Sequence, residues 1–267
     1  MDLAILGRSA AAGASAARSI AATRLPWLQG LAFGLLVAAV YHLSLRGDTA
    51  FNHYQWLAQA FLDGRVYLVD PPPHLELTRI GDRHYVIPPP LPALLLVPYV
   101  AIAGERASQA VLTALAGGVH AMAALFIAAR LVRRRADQWW LAVLFAFGTI
   151  VWHLSAVGSV WFAAHVIAAA ALSLALLETL GQKRPLVIGL AIAAAFWTRL
   201  PTVLTLPFFV LMTADQWAPH GLRRWRTIRL SYLNSLAAPI AAVMLLNFGY
   251  NWLRFGTIAD VSYRLRN

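Results

Sequence analysis

The stretch that decides the fold runs from residue 46 to residue 106 and begins RGDTAFNHYQWLAQAFLDGR over residues 46–65. It is half polar and holds six of the chain's eleven acidic residues, whereas most of the remaining sequence is apolar. Two proline triplets, residues 71–73 and 88–90, flank a charged patch within it. Because the other polar segments are short connectors or tails, we expect the chemistry of this protein to lie in this stretch.

Composition places the chain among integral membrane proteins. Hydrophobic residues make up 60% of it and charged residues only 12%, and the mean hydropathy is +0.63, which leaves too little polar surface for a soluble domain of this length. The absence of cysteine excludes disulfides, thiolate nucleophiles and thiolate metal sites. The net charge of +11 is divided among connectors, without a basic face carrying interleaved aromatics, so we expect no nucleic-acid partner.

Apolar runs predict an all-α fold with about seven membrane segments. A basic cytoplasmic tail, residues 1–26, precedes a polytopic membrane domain, residues 27–253, and residues 254–267 form an extracytoplasmic tail. The expected segments are 27–45, 107–131, two within 139–180 that meet at Gly158, two of half length within 186–214, and 230–253.

The run 186–214 is the ambiguous one, and its length decides between two interpretations. As one helix it would be ~43 Å long, against a hydrocarbon core of ~30 Å. As a hairpin of two half-length helices it keeps both flanking basic connectors in the cytoplasm, where 13 of the 22 Lys and Arg residues then lie. The N-terminus is therefore predicted inside, and the loop 46–106 and the C-terminus outside. Arg199, at the hairpin tip, would lie below the outer surface, either facing a cavity or an anion or snorkelling to headgroups.

Two interfacial helices are expected in the outer loop, over residues 49–62 and 91–103, because each is apolar on one side or too short to span. They bracket a proline-stiffened, charged strap. Arg79, Arg83 and His84 of this strap either hold a phosphate or an acceptor, or are simply solvated.

Five segments in this order carry a family resemblance: 47–54, 85–95, 158–162, 198–201 and 251–256. Together they resemble the bacterial GT-C membrane glycosyltransferases of the family 39 type, which are related to protein O-mannosyltransferases and to the lipid A aminoarabinose transferase. The resemblance covers roughly residues 27–260. Relatives continue into a further loop and more spans, so residues 254–267 are expected to be the tail of a truncated chain.

This resemblance implies an inverting sugar transfer from a polyprenyl-phosphate donor to a lipid, glycan or protein hydroxyl. The reaction would take place on the extracytoplasmic face of the bacterial inner membrane. Asp48 would be the general base, and Arg199 would meet the donor phosphate. Arg79 and Arg83 of the strap are further candidates for the donor phosphate, apart from the resemblance. No cofactor is expected to be required, although a divalent metal is an option.

The chemistry of these residue types agrees with that implication. An aspartate with the ordinary pKa of ~3.9 is ionised at neutral pH and can accept a hydroxyl proton. A guanidinium supplies two donors to a leaving phosphate. Asp48 also stands where a helix N-cap would stand, and the two roles can coexist.

Further side chains are candidates for contact with the substrate. They are His53, Tyr54, Glu76 and His84. His53 with Asp48 could be half a metal site, although an ordinary interfacial histidine is the simpler interpretation. His165, one turn beyond Trp161, is interpreted as a satisfied core histidine.

Two other classes of function stay open. Half-length helices that meet inside the bilayer are also a feature of transporters. A non-catalytic membrane scaffold is the third alternative.

The absence of native cysteine makes the predicted topology directly testable. Single cysteines at Gly64, Gly81 and Asn267 should react with an impermeant maleimide in intact cells, because these positions are predicted outside. Cysteines at Ala136 and Gln182 should react only after permeabilisation. Labelling of position 182 in intact cells, with none at position 64, would overturn the arrangement.

Overall fold

The computed structural model describes residues 26–44, 49–219 and 228–259, and within these ranges the fold is nearly all-α. The helices are α1 Pro26–Ser44, α2 His53–Leu62, α3 Leu91–Ala103, α4 Gln109–Leu131, α5 Arg135–Phe147, α6 Val151–Val157, α7 Val160–Thr179, α8 Pro185–Thr198, α9 Leu206–Met212, α10 Ala214–Trp217 and α11 Leu230–Phe255. Short 3-10 helices span Gly104–Arg106 and Leu200–Thr205. Strands β1 Leu77–Ile80 and β2 Arg83–Val86 pair as an antiparallel hairpin.

Four of these helices, α1, α4, α7 and α11, are long and apolar enough to cross a membrane. A fifth span results if α5 and α6, which are bent by 48° at the break between them, are counted as one. Helices α3 and α8 and the piece Leu200–Met212 are apolar but shorter than the ~20 residues that a span needs. The membrane class is therefore supported, whereas the count of seven spans is not confirmed. Helices α2 and α3 form where surface helices were expected, and their place at a membrane interface stays a prediction.

The expected turn at Gly158 is confirmed. Helix α6 ends at Val157, Gly158 adopts a left-handed φ of 61°, and α7 begins at Val160. A Cβ at Gly158 would lie 2.6 Å from the Cα of Ala110, so the turn needs glycine both for its backbone conformation and for its contact with α4.

The preceding span is interrupted, which the sequence interpretation did not include. Helix α5 ends at Phe147, and α6 starts only at Val151. The Thr149 hydroxyl donates to the Phe145 carbonyl at 2.7 Å and accepts from the Val151 amide at 3.3 Å. One side chain thus partners backbone groups that the break would otherwise leave unpaired in an apolar setting.

The segment 186–214 folds back on itself, as its length predicted. Helix α8 ends at Thr198, and the chain reverses through the 3-10 turn into α9. The Lys183 ammonium lies 2.7 Å from an Asp215 carboxylate oxygen, and the Tyr232 hydroxyl donates to the Lys183 carbonyl at 2.7 Å. The same lysine lowers the pKa of Asp215, with help from Gln216. The two ends of the fold-back therefore lie side by side.

Contacts assign the helix termini to two ends of the molecule. At the hairpin end, which carries β1 and β2, Arg254 of α11 donates to the Val86 carbonyl, and Trp152 of α6 donates to the Ser44 hydroxyl of α1. At the opposite basic end, Arg184 pairs with Glu178 and Lys183 with Asp215. The long loop and the end of α11 therefore share one side, and the described basic connectors share the other.

Helix contacts depend on small residues, as is usual where helices pack in lipid. A Cβ at Gly118 of α4 would lie 2.4 Å from the Gly34 carbonyl of α1. One at Gly189 of α8 would lie 2.2 Å from the Leu236 carbonyl of α11. Since both obstructing atoms belong to the backbone, neither contact can relax by a rotamer change.

Gly189→Ala should therefore destabilise the protein, although alanine is the better helix former. Pushing α8 away from α11 should cost about 1–3 kcal/mol, the usual range for overpacking. Gly249→Ala on α11 is the matched control, because a Cβ there would meet nothing within 4 Å, and it should be neutral or slightly stabilising. Thermal unfolding in nanodiscs measures both, and equal midpoints for the two variants would contradict the close crossing.

Candidate functional site

The buried side chain of Gln109 joins three elements at the hairpin end. Its Oε1 accepts from the Tyr54 amide at 2.9 Å, and its Nε2 donates to the carbonyls of Gly158 at 2.6 Å and Phe51 at 3.4 Å. The Val160 amide also donates to Phe51 at 3.0 Å. The start of α2 is thereby fixed to the first turns of α4 and α7, and this meeting point is the junction around which the candidate site lies.

Aromatic rings pack at the junction. The ring centroids of Phe51 and Trp161 are 5.0 Å apart, and His53 lies 6.4 Å from Phe51 and 6.3 Å from Trp161. Tyr54 is fully buried in the adjoining core with Leu57. Burial of Tyr54 and His53 does not favour direct contact of either side chain with a substrate.

His53 is buried, with only 1% of its surface exposed, whereas its place at a membrane interface stays a prediction. Burial is the main cause of its lowered pKa; the carbonyls of Phe51 and Glu76 and the Glu76 charge oppose that shift. The ring is therefore neutral at pH 7. Glu76, another of the candidate substrate contacts, lies beside His53.

Arg199 lies at the tip of the fold-back, where it is half buried. One guanidinium nitrogen is 3.2 Å from Nδ1 of His165, and the same Nδ1 is 2.6 Å from the Trp161 carbonyl. Nδ1 can donate to the carbonyl or accept from arginine, but not both at once. His165 is exposed, so its interpretation as a satisfied core histidine was wrong. His165 lies five residues into α7, about 7.5 Å along the axis from the start of that helix, and Arg199 meets it there.

The contacts therefore run from the tip of the fold-back to the start of α2. Arg199 meets His165, His165 meets Trp161 one turn earlier, and Trp161 packs on Phe51. Residues that lie about 150 positions apart in the sequence are brought into one region.

Asp48 lies outside the described residues, but the start of α2 bears on its alternative role. The helix begins at His53 with Asn52 as its N-cap, four residues later than the sequence suggested. Asp48 is therefore not the N-cap of this helix, and the capping interpretation was wrong. Gly64, with φ of 70°, follows the end of α2 as expected.

Residues 77–86 of the proline-stiffened, charged strap form a β-hairpin, which was not expected from the sequence. Gly81 and Asp82 form its two-residue turn, with Ile80 opposite Arg83. Near this turn Arg79 donates to the Gly81 carbonyl at 3.0 Å, while the Arg83 guanidinium lies 4.6 Å over the Tyr67 ring.

Both arginines of the hairpin are exposed, which favours the solvated interpretation of the strap over a phosphate site. His84 is half buried, and its carbonyl accepts from the Leu68 amide at 2.8 Å. No contact recorded for the described residues joins Arg79 or Arg83 to Arg199.

Arg254 is a structural arginine that the sequence analysis did not single out. It is 4% exposed, donates to the Val86 carbonyl at 2.7 Å and to Asn251 at 3.2 Å, and lies over the rings of Tyr250 and Phe255. It docks the hairpin onto the end of α11. Only the tertiary fold reveals this role, because Val86 lies 168 positions away from Arg254 in the sequence.

A groove of about 620 Å³ lies between α2 and α3. The described residues that line it are Asn52, Gln55, Trp56, Gln59, Val100 and Gly104. The four from α2 follow the i, i+3, i+4, i+7 spacing of one helix face. That spacing was readable in the sequence, but it was treated only as the polar side of a surface helix.

The described residues offer no set of ligands for a divalent metal. Within them, no three His, Asp or Glu side chains lie close enough together to hold an ion.

Apolar helices of spanning length define the broad class of the molecule, a helical membrane protein. Comparison with protein-family models, with curated proteins and with solved structures found no match. The argument for a function therefore depends on the geometry of the site and on the resemblance of the ordered segments.

Proposed function

We propose that this protein is a membrane glycosyltransferase that moves a sugar from a polyprenyl-phosphate donor to a hydroxyl of a lipid, glycan or protein, with inversion. The observation that carries the proposal is the series of contacts that runs through the junction. It links Arg199, a half-buried cation, through His165 and Trp161 to Phe51, which follows Asp48 by three positions. A phosphate-binding cation and a carboxylate on neighbouring elements are the two groups that this reaction needs.

Arg199 is suited to the leaving phosphate. A guanidinium below the membrane surface is costly unless an anion or a cavity receives it. Among the described residues its recorded contact is with His165 rather than with a carboxylate. A lipid-linked phosphate that approaches from the bilayer would neutralise it through two parallel hydrogen bonds. The exposed Arg79 and Arg83 could assist only where the donor extends into the outer loop.

Asp48 is assigned the base. As the acceptor oxygen attacks the anomeric carbon, the carboxylate takes its proton, and the bond between that carbon and the phosphate oxygen breaks. The electron pair leaves with polyprenyl phosphate, whose charge Arg199 stabilises. Base and leaving group stand on opposite faces of the sugar, which inverts the anomeric configuration.

The proposed orientation puts the hairpin end outside the cell and the basic end in the cytoplasm. It follows from the basic residues that cluster beside helix ends at one side of the molecule. In this arrangement α2 and α3 lie on the outer surface of a bacterial inner membrane, and α8 with its partner completes seven membrane segments. A divalent metal stays an option for the outer loop.

A transporter is the second candidate, because the half-length α8 and the bent pair α5 and α6 interrupt the bilayer interior. The basic end, however, is tied together by the pairs Lys183–Asp215 and Arg184–Glu178. A transporter would return its lipid-linked sugar intact, whereas a transferase cleaves it. Chemical analysis of the lipid after incubation separates the two.

Asp48→Asn should abolish transfer while the protein still folds. Asparagine is nearly isosteric but cannot take a proton, so activity per folded molecule should fall by ~10²–10⁴-fold. Asp70→Asn is the control, because Asp70 is an exposed acid of the same loop and asparagine tolerates its left-handed backbone conformation. If Asp48→Asn transferred sugar at a near-normal rate, the base would have to be Glu76 or Asp82.

Arg199→Ala should weaken use of the donor by about ten- to a hundredfold, the scale of one charge-assisted hydrogen bond. Arg199→Lys should recover part of the loss, since the charge stays but the planar fork is lost. The readout is the dependence of initial rate on donor concentration, with Arg134→Ala, which removes an exposed arginine at the opposite basic end, as the control. Unchanged donor dependence in both variants would show that Arg199 only snorkels to headgroups.

A further inference from the structure

We infer that the groove between α2 and α3 is a subsite for an uncharged saccharide, and that this saccharide belongs to the acceptor. The assignment to the acceptor rests on the proposed transfer reaction. The ability of the groove to bind a saccharide does not rest on that reaction, because it follows from the side chains that line the groove.

One face of α2 packs into the core of the outer loop, and the other face lines the groove. Tyr54, Leu57 and Ala58 are fully buried in the core of the outer loop. The opposite face presents Asn52, Gln55, Trp56 and Gln59, of which Gln59 is exposed and the other three are half buried. The indole of Trp56 also packs against the core of the outer loop, and it lines the groove beside three carboxamides.

The chemistry of this face matches a sugar ring. Carboxamides donate and accept hydrogen bonds, as vicinal hydroxyls require. Trp56 adds a flat apolar surface for the C–H side of the ring, next to an indole N–H. The volume of about 620 Å³ falls within the range of small-molecule sites.

The amides are held in place by polar neighbours on the same helix. The Asn52 side chain donates to Oε1 of Gln55 at 3.2 Å, and the Gln59 side chain donates to Asp63 at 3.1 Å. Because these amides already have hydrogen-bond partners, less side-chain order has to be imposed when a ligand binds.

Charge excludes the donor phosphate from this groove. The described lining residues carry no charge, and a buried phosphate needs cationic or several amide N–H partners. The half-buried cation of the proposed site is Arg199, which lies beyond the junction at the fold-back tip. A neutral ligand is therefore assigned to the groove and the anionic one to Arg199.

Position favours the acceptor over the donor sugar. Asn52 opens the groove and directly follows Phe51 of the junction. A saccharide along α2 would thus point one hydroxyl toward the segment that carries the proposed base. The remaining rings would extend along α2 past Gln59.

The test measures binding without any transfer. Protein in nanodiscs is incubated with methyl α-D-mannopyranoside, methyl β-D-glucopyranoside or methyl α-D-galactopyranoside, and saturation-transfer NMR records which ligand protons contact protein. At least one glycoside should receive saturation in the wild type. Trp56→Ala should reduce that signal about five- to tenfold, the scale of a lost stacking contact, and Trp56→Phe should retain most of it.

Control variants and a control ligand show whether the NMR signal comes from the groove. Trp140→Ala removes an exposed indole from α5, away from the groove, and should leave the signal unchanged. Gln59→Ala alters an exposed side chain and should weaken binding without loss of fold, which covers the case in which Trp56→Ala is unstable. Cyclohexylmethanol, an apolar ring of similar size, should receive little saturation.

Three results would overturn the inference. They are no saturation of any glycoside, equal signals in wild type, Trp56→Ala and Gln59→Ala, or equal saturation of cyclohexylmethanol. Glycoside binding that depends on Trp56 in a protein that cleaves no lipid-linked sugar would keep the subsite and reject the transferase. Cleavage of donor without glycoside binding would do the reverse.

Discussion

The three hydrogen bonds of the Gln109 side chain are the constraint on which the rest of the site depends. A carboxamide that is 1% exposed must find partners for its own polar atoms, and here all of them are backbone groups of other segments. Replacing it with an apolar residue would leave the Tyr54 amide without this acceptor, at the cost of a buried unpaired group. This side chain fixes the start of α2 to the first turns of α4 and α7.

The second constraint is the scarcity of partners for backbone groups in an apolar interior. Helices supply these partners internally, so each interruption needs a local solution. Thr149 provides it at the break between α5 and α6, and Thr202 donates to the Arg199 carbonyl at the fold-back tip. Arg199, the proposed phosphate-binding residue, lies at one of these interruptions. The proposed chemistry therefore occurs where the helical pattern fails, rather than along the spans.

Hydrophobic length made much of the fold predictable. The turn at Gly158 and the fold-back of 186–214 followed from how far an apolar run can reach, which is a property of sequence alone. The hairpin of residues 77–86 was missed, although two short strand-like runs flank a Gly-Asp pair, a recognised hairpin signal. Prolines on either side directed attention to a rigid spacer instead.

Parts of the site could not be predicted from the sequence because they depend on tertiary contacts. His165 was judged from its spacing to Trp161, but its exposure depends on where the fold-back tip comes to lie. Arg254 carries no local signal, because the groups that surround it come partly from β2. The groove was in principle readable from the face of α2, since the spacing of its amides and indole is helical. The position of α3 as the opposite wall of the groove depends on tertiary packing, so it could not be predicted from the spacing of residues.

Cleavage of a lipid-linked sugar tests the central claim most directly. Proteoliposomes that contain the purified chain would be incubated with defined polyprenyl-phosphate sugars, and released polyprenyl phosphate would be quantified by mass spectrometry. The account predicts release that requires the protein and an acceptor, with the transferred sugar in the inverted configuration. Recovery of every donor intact, from protein shown to be folded, would contradict it.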